Sequence, residues 1–300
     1  MTHSLWQLPR FLKLPTIIGW ALALLFALVL PGCSAVKLGY NNAPEISYWW
    51  LDGYFDFNSN QSSQVRKELN AVQAWHRQSE LPAYVKAIEK IQRLVPGKAT
   101  PEQVCEVYAD LKPRFQALID QTEPLIVSMS PTLKPEQIAH LARQLEKRSD
   151  KWREEWLDGS QNDRRDRRVK QLIDRAEMLY GRLDETQLAL LRARVNESSF
   201  DAAVSYRESQ RRHQDTLQIF QKIQTEKLTG AKIKSEVHGL LERSMASPDG
   251  AYRAQMEKIT QENCKSFAEL HNSTTPTQRQ KAKSVLENYA GDATTLISQR

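Results

Sequence analysis

The chain has 300 residues and a formal net charge of +6, from 42 basic and 36 acidic side chains. This mild, evenly spread excess is not the concentrated basic footprint of a nucleic-acid-binding protein, so we expect no nucleic-acid partner. The six histidines are scattered without HxxxH or HExxH spacing and no CxxC is present, so we expect no metal or other cofactor.

Residues 1–32 have the organisation of a secretory signal. Arg10 and Lys13 precede the apolar run 17–30, and Leu-Pro-Gly-Cys33 follows at once. This box resembles the lipobox of bacterial lipoproteins, in which the signal is cleaved before the cysteine and the cysteine is acylated. The resemblance implies a mature chain anchored in a membrane by acyl chains on Cys33. Ser34, in place of Asp, implies the outer membrane, with the protein facing the periplasm.

An uncleaved anchor is the alternative interpretation of the same segment. Its apolar run has about 14 residues, whereas a helix needs about 20 to span the hydrocarbon core. A cleaved signal is therefore favoured.

Residues 33–60 are predicted to be an acylated tether followed by an aromatic segment. Three interpretations of this segment stay open: a short helix that covers the helical body, a segment in the membrane interface where Trp and Tyr are favoured, or a partner-binding surface. The aromatic side chains that could make such contacts are Tyr48, Trp49, Trp50, Tyr54, Phe55 and Phe57.

Residues 61–300 show helical periodicity throughout, with apolar side chains spaced three and four residues apart. Helix-start patterns with a cap and a glutamine recur at Thr100–Gln103, Leu133–Gln137, Leu183–Gln187 and Thr275–Gln278. Alternating β-strand patterns are absent. The sequence therefore predicts an all-α fold, an elongated antiparallel bundle of about eight helices forming one periplasmic domain.

Two cysteines remain after the signal, Cys105 and Cys264. Because the periplasm is oxidising, they are predicted to form one disulfide; two buried free thiols are the alternative.

The densest charge run is Arg164, Arg165, Asp166, Arg167 and Arg168. It is interpreted either as a solvated helix start or as a contact for anionic lipid headgroups or lipopolysaccharide phosphates.

Catalytic motifs do not emerge from the sequence. There is no nucleophile elbow, Walker loop, GxGxxG or zincin pattern. Glu154 and Glu155 are adjacent on a helix and point about 100° apart, which does not suit a carboxylate pair. His76 and Glu80 share a helical face, but a surface ion pair explains them more simply. We therefore expect a protein that is not an enzyme and has no catalytic residues.

Two resemblances extend this interpretation. The Leu133 and Leu183 patterns resemble the LTxxQ motif of Spy-like periplasmic chaperones, which are helical and bind unfolded clients. The segments 38–42, 50–56 and 76–82 resemble an uncharacterised family of proteobacterial lipoproteins. The second resemblance implies a lipoprotein of the cell envelope and brings no reaction or substrate.

The expected function is that of a non-enzymatic outer-membrane lipoprotein, a helical module that binds envelope proteins or unfolded clients. The alternative is a structural protein, or one that contacts lipid or lipopolysaccharide through the aromatic segment and the arginine run. A concave apolar surface on the helices would favour clients, whereas outward-facing aromatics beside Cys33 would favour the membrane.

Overall fold

The computed structural model describes residues 35–299, which form one short helix, eleven longer helices and no strand. The all-α prediction is confirmed, but the expected count of about eight helices is wrong. The helices are α1 (Ala35–Asn41), α2 (Ala43–Phe55), α3 (Ser59–Trp75), α4 (Leu81–Leu94), α5 (Pro101–Met129), α6 (Pro135–Trp156), α7 (Gln161–Tyr180), α8 (Glu185–Glu197), α9 (Ala202–Thr225), α10 (Ala231–Met245), α11 (Gly250–Asn272) and α12 (Pro276–Ser298).

The predicted helix starts lie where the capping residues place them. Thr100, Asp184 and Thr275 each accept a hydrogen bond from the backbone N–H three residues on, and the glutamine at that position accepts one in return. These reciprocal bonds satisfy donors that every helix N-terminus leaves free, which is why the helices begin there.

Three differences account for the higher count. Apolar spacing from Leu188 to Phe220 predicts one long helix, but this stretch forms two, because the chain leaves the helix after Glu197 and Asp201 caps a new one. Helices α10 and α11 carry no glutamine start pattern; α10 follows Gly230, whose φ is +53°, and α11 is capped by Asp249. The described part of the predicted tether is also helical, as α1 and α2.

Helices α3 and α4 are joined without a break. Proline suits the first turn of a helix, so Pro82 predicts a helix start, and α4 does begin at Leu81. His76–Glu80 form one π-helical turn between the two helices. π-helical turns are rare in proteins, and those that do occur often lie at functional sites.

The apolar interior is divided into three clusters. One lies among α6, α9 and α10, and includes Ile138, Phe220 and Val237. A second joins the end of α7 to α8, α11 and α12, and a third joins α2, α3 and the end of α5. Helix α5 thus extends from the disulfide at its start to the third cluster at its end.

The predicted disulfide is present between Cys105 in α5 and Cys264 in α11, with an S–S distance of 2.03 Å. It links residues 159 positions apart and fixes the start of α5 against α11.

Buried pairs of glutamines join helix starts that are distant in sequence. In one pair, Gln187 at the start of α8 and Gln278 at the start of α12 exchange side-chain hydrogen bonds of 2.8 and 2.9 Å. Each amide also donates to a carbonyl before the partner helix: Gln187 to Ser273 and Gln278 to Arg182.

The same arrangement recurs at the starts of α3 and α6. The side chains of Gln61 and Gln137 exchange hydrogen bonds of 3.2 and 2.9 Å, and Gln137 also donates to the carbonyls of Phe55 and Asp56. The glutamines of the LTxxQ-like patterns are therefore enclosed structural groups that hold helix ends together, and they do not form an open surface.

Candidate functional site

The N-terminal helix α1 is fastened to the π-helical turn by polar contacts. The Tyr40 hydroxyl lies 3.0 Å from Nδ1 of His76, and the side chain of Gln73 donates to the Tyr40 carbonyl. Arg77 donates to the Asn41 side chain at 2.8 Å and to the Gln299 carbonyl at 3.1 Å. The segments 38–42 and 76–82, which the family resemblance singled out, therefore meet in the structure.

Burial sets the protonation of this contact. It raises the pKa of Tyr40, against the opposing effect of Arg77, and it lowers the pKa of His76, against the opposing effect of Glu80. A neutral His76 beside a protonated Tyr40 hydroxyl is thus the favoured state at neutral pH.

Helix α2 is fixed against α3 through its buried side chain Tyr48. Tyr48 donates from its hydroxyl to Oγ of Ser62 at 3.0 Å, and the Arg66 guanidinium lies 3.5 Å from the centre of the Tyr48 ring. Arg66 also pairs with Glu45 at 3.1 Å. These contacts fix which side of α2 faces outward.

The outward side is apolar. Ile46, Trp49 and Trp50 recur at helical spacing and are 58%, 63% and 57% exposed, and Leu38 on α1 is 63% exposed. We call these four side chains the N-terminal apolar face. Large side chains held in solvent on a firmly docked helix are typical of a contact surface.

The six aromatics predicted as contacts divide between surface and interior. Trp49 and Trp50 are exposed, whereas Tyr48 is buried. Phe55 and Phe57 stack on each other at 5.5 Å and pack against apolar clusters. Tyr54 accepts a hydrogen bond from Arg148 at 3.1 Å. The segment is therefore a docked helix with two tryptophans left outside.

Cys33, the predicted site of acylation, lies outside the described residues, two positions before Ala35. Within residues 35–299, no helix is long and apolar enough to cross a membrane.

The arginines of the run 164–168 are also divided, into two that are bound to the body and two that are exposed. Arg164 donates to the carbonyls of Leu157 and Gly159 at the end of α6, and Arg168 donates to Oγ of Ser198 at 2.9 Å. Arg165 and Arg167 are exposed.

Three side chains that belong to Glu–Glu or His–Glu pairs along the sequence have structural partners. Glu155 pairs with Arg167 at 3.8 Å, and Glu80 lies 3.5 Å from Arg114. His238 lies 2.9 Å from Glu123, on the neighbouring α5. Within the part of the chain that is described, no three His, Cys, Asp or Glu side chains are grouped so as to hold a metal ion.

An apolar cleft lies between α4, α5, α7 and α11. It encloses about 230 Å³, and Tyr108 and Phe267 are exposed at it. Two polar groups line it and are satisfied: the Tyr180 hydroxyl lies 3.0 Å from Nδ1 of His271, whose Nε2 lies 3.1 Å from the Gly97 carbonyl oxygen. Sequence periodicity did not indicate this cleft, because its lining comes from helices that are far apart in the chain.

The fold and these surfaces define an all-helical protein with an internal disulfide and an apolar N-terminal face. A model of a family of unknown function, DUF6279, matches residues 53–244, nearly two thirds of the chain. The chain therefore belongs to this family, and its resemblance to an uncharacterised family is confirmed. No curated protein matches it. Among solved structures there is likewise no match.

Proposed function

We propose that this protein is a lipoprotein of the outer membrane, anchored through acyl chains on Cys33, that works by contact and not by catalysis. In this proposal the N-terminal apolar face rests in the membrane interface. One observation carries it: Leu38, Ile46, Trp49 and Trp50 face outward on the first two helices after Cys33. Tryptophan prefers the headgroup region because its ring is apolar and its N–H is polar.

Chain length supports the placement. One residue, Ser34, lies between Cys33 and the start of α1, a span of at most about 7 Å, so anchored acyl chains would bring α1 and α2 to the bilayer surface. The disulfide between Cys105 and Cys264 agrees with an oxidising compartment such as the periplasm.

The energy available from the two tryptophans is substantial. A tryptophan side chain has about 200 Å² to bury, so the exposed parts of Trp49 and Trp50 offer on the order of 240 Å². At about 25 cal/mol per Å², complete burial would contribute about 6 kcal/mol. Because two or more acyl chains already give stable attachment, this contact would set the orientation of the domain more than its retention.

Depth-dependent quenching tests the orientation. The acylated mature chain, Cys33–Arg300, is placed in vesicles that contain a brominated phospholipid, and its tryptophan fluorescence is recorded. We expect strong quenching, which the double change Trp49→Phe and Trp50→Phe removes. Trp152→Phe is the matched control, because Trp152 stacks within the body against Trp156 and Tyr206. Equal quenching in the double variant and the wild type would refute the contact.

Anchoring has a separate test. Cys33→Ser should abolish metabolic labelling with fatty acid and leave the precursor uncleaved. Labelling at the wild-type level in this variant would exclude the anchor.

A second candidate function, binding of unfolded clients, is favoured by the apolar cleft with its exposed Tyr108 and Phe267. If it holds, the full chain in vesicles should slow aggregation of a destabilised client without nucleotide. Tyr108→Ser should weaken this activity, and the Trp49 and Trp50 changes should leave it intact. Unchanged aggregation at several-fold molar excess of the protein would count against this function.

A further inference from the structure

A second, polar cleft lies on a different part of the molecule, between the end of α6, the start of α7 and the connection from α8 to α9. Its volume is about 550 Å³. Trp156 and Phe200 contribute aromatic walls, and Asn196 and Ser198 contribute polar groups. Three arginines, Arg164, Arg165 and Arg168, line the same cleft.

These three arginines share a feature that their neighbour lacks. Among the described residues, none of the three guanidinium groups has a carboxylate partner within 4.0 Å, whereas Arg167 pairs with Glu155 at 3.8 Å. Arg167 belongs to the same charge run but does not line the cleft. The cleft thus brings together three cations that have no carboxylate within 4.0 Å among the described residues.

Arg168 lies against an aromatic wall of the cleft. Its guanidinium lies 4.6 Å from the centre of the Phe200 ring and donates to Oγ of Ser198 at 2.9 Å. Burial lowers the pKa of Arg168, against the opposing effect of Glu262. A cation that has lost part of its hydration gains more from an incoming anion than a fully solvated one.

One acidic residue lines this cleft, and it does not cancel the charge of the three arginines. Asp201 is that residue, and its carboxylate accepts hydrogen bonds from the backbone N–H groups of Ala203 at 2.7 Å and Val204 at 3.3 Å. Glu262, outside the cleft lining, accepts from Ser198 and Ser199. With three arginines and one aspartate in its lining, the cleft keeps a net positive charge.

We propose that this cleft binds the phosphate group of a phosphate ester. Guanidinium groups match phosphate oxygens with forked, charge-assisted hydrogen bonds, which ammonium groups do not. Arg165 and Arg168 are the main ligands, since Arg164 is engaged with carbonyls at the end of α6. The aromatic walls formed by Trp156 and Phe200 leave room for the organic part of the ester. The site is independent of the proposed membrane contact, because none of the N-terminal apolar face lines it.

Calorimetric titration of the full chain in detergent with inorganic phosphate and with glycerol 3-phosphate tests the site. We expect saturable binding that weakens steeply with salt. Arg165→Glu should weaken binding at least tenfold; its side chain is exposed and contacts Asn162 locally, so folding should be unaffected. Arg167→Glu is the matched control, with the same charge change in the same run, and should alter binding less than twofold.

A competition experiment shows whether the bound phosphate group belongs to a lipid headgroup or to a soluble ester. Vesicles of phosphatidylglycerol that compete with glycerol 3-phosphate, while phosphatidylcholine vesicles do not, would assign a lipid headgroup. No competition by either vesicle would assign a soluble ester. Absence of saturable binding, or an equal loss in the Arg165→Glu and Arg167→Glu variants, would overturn the proposal, because the second result means that only diffuse surface charge is involved.

Discussion

Replacing Gln187 with alanine should destabilise the protein far more than a helix-cap residue normally does. The side chain is 1% exposed and makes four hydrogen bonds. It accepts from the Asp184 N–H at 3.0 Å, donates to the Ser273 carbonyl at 3.1 Å, and exchanges two bonds with Gln278. Gln187→Ala removes all four and leaves enclosed polar groups without partners.

The magnitude follows from those bonds. At a net contribution of about 1 kcal/mol for each hydrogen bond, the change costs about 4 kcal/mol in free energy of unfolding. For a chain of this size, 1 kcal/mol shifts the melting temperature by about 2–4 °C. We therefore expect the midpoint of thermal unfolding of the Gln187→Ala variant, followed by circular dichroism, to fall by about 8–16 °C.

Gln103 offers a matched control. It occupies the same position of a capping box, but its side chain accepts a single hydrogen bond, from the Thr100 N–H, at an exposed site. Gln103→Ala should cost only about 0.5–1 kcal/mol.

A double-mutant cycle isolates the pair. Gln278→Ala alone should also be costly, but adding it to Gln187→Ala should cost less than it does alone, because no unpaired amide remains. If Gln187→Ala and Gln103→Ala lower the melting temperature equally, or if the two pair changes are simply additive, the inference that paired glutamines fasten the helix starts is wrong.

Two further predictions concern the body of the protein. Replacing both Cys105 and Cys264 with serine should lower the free energy of unfolding by up to about 5 kcal/mol on the chain-entropy model, because their bond closes a loop across 159 positions. Thermal unfolding of the protein with and without reductant checks this, and equal midpoints would contradict it. For Glu208, burial raises the carboxyl pKa, but hydrogen bonds from Arg211 and Arg212 outweigh it and bring the pKa to about 2. The folded pKa is depressed, so this stabilisation is present above about pH 4.5 and is lost as the pH falls towards 2. Glu208→Gln should lower the melting temperature at pH 7 and reduce its fall between pH 4.5 and 2, and a fall identical to that of the wild type would refute this role.

The sequence determined the local features of this protein. Helix starts at Thr100, Asp184 and Thr275 could be predicted because a cap, its backbone partner and the returning glutamine all lie within four residues. The all-α class followed from apolar spacing, which depends only on the turn of the helix. The Cys105–Cys264 bond could be predicted because, with Cys33 predicted to be acylated, two cysteines remain and allow only one pairing.

The surfaces could be predicted only in part. The sequence indicated that the aromatics of α2 were contact candidates, but it could not separate buried Tyr48 from exposed Trp49 and Trp50, since all three are aromatic and adjacent. That separation depends on Ser62 and Arg66 of α3, which fix one side of α2 against the body. The arginine run was visible as a charge cluster, but not as a division between paired and unpaired cations.

Only the tertiary structure decided which distant groups meet. Gln187 and Gln278 are 91 positions apart, and each carries an ordinary capping pattern. Their mutual hydrogen bonds exist because two helix starts are packed together, and the local sequence around either glutamine does not predict that packing. The polar cleft has the same origin: Arg168 and Phe200 become neighbours only when the start of α7 packs beside the connection between α8 and α9. Short-range hydrogen bonds and helical periodicity depend on residues that are close in sequence. Burial and the balance of charge depend on which distant residues the folded chain places beside each side chain.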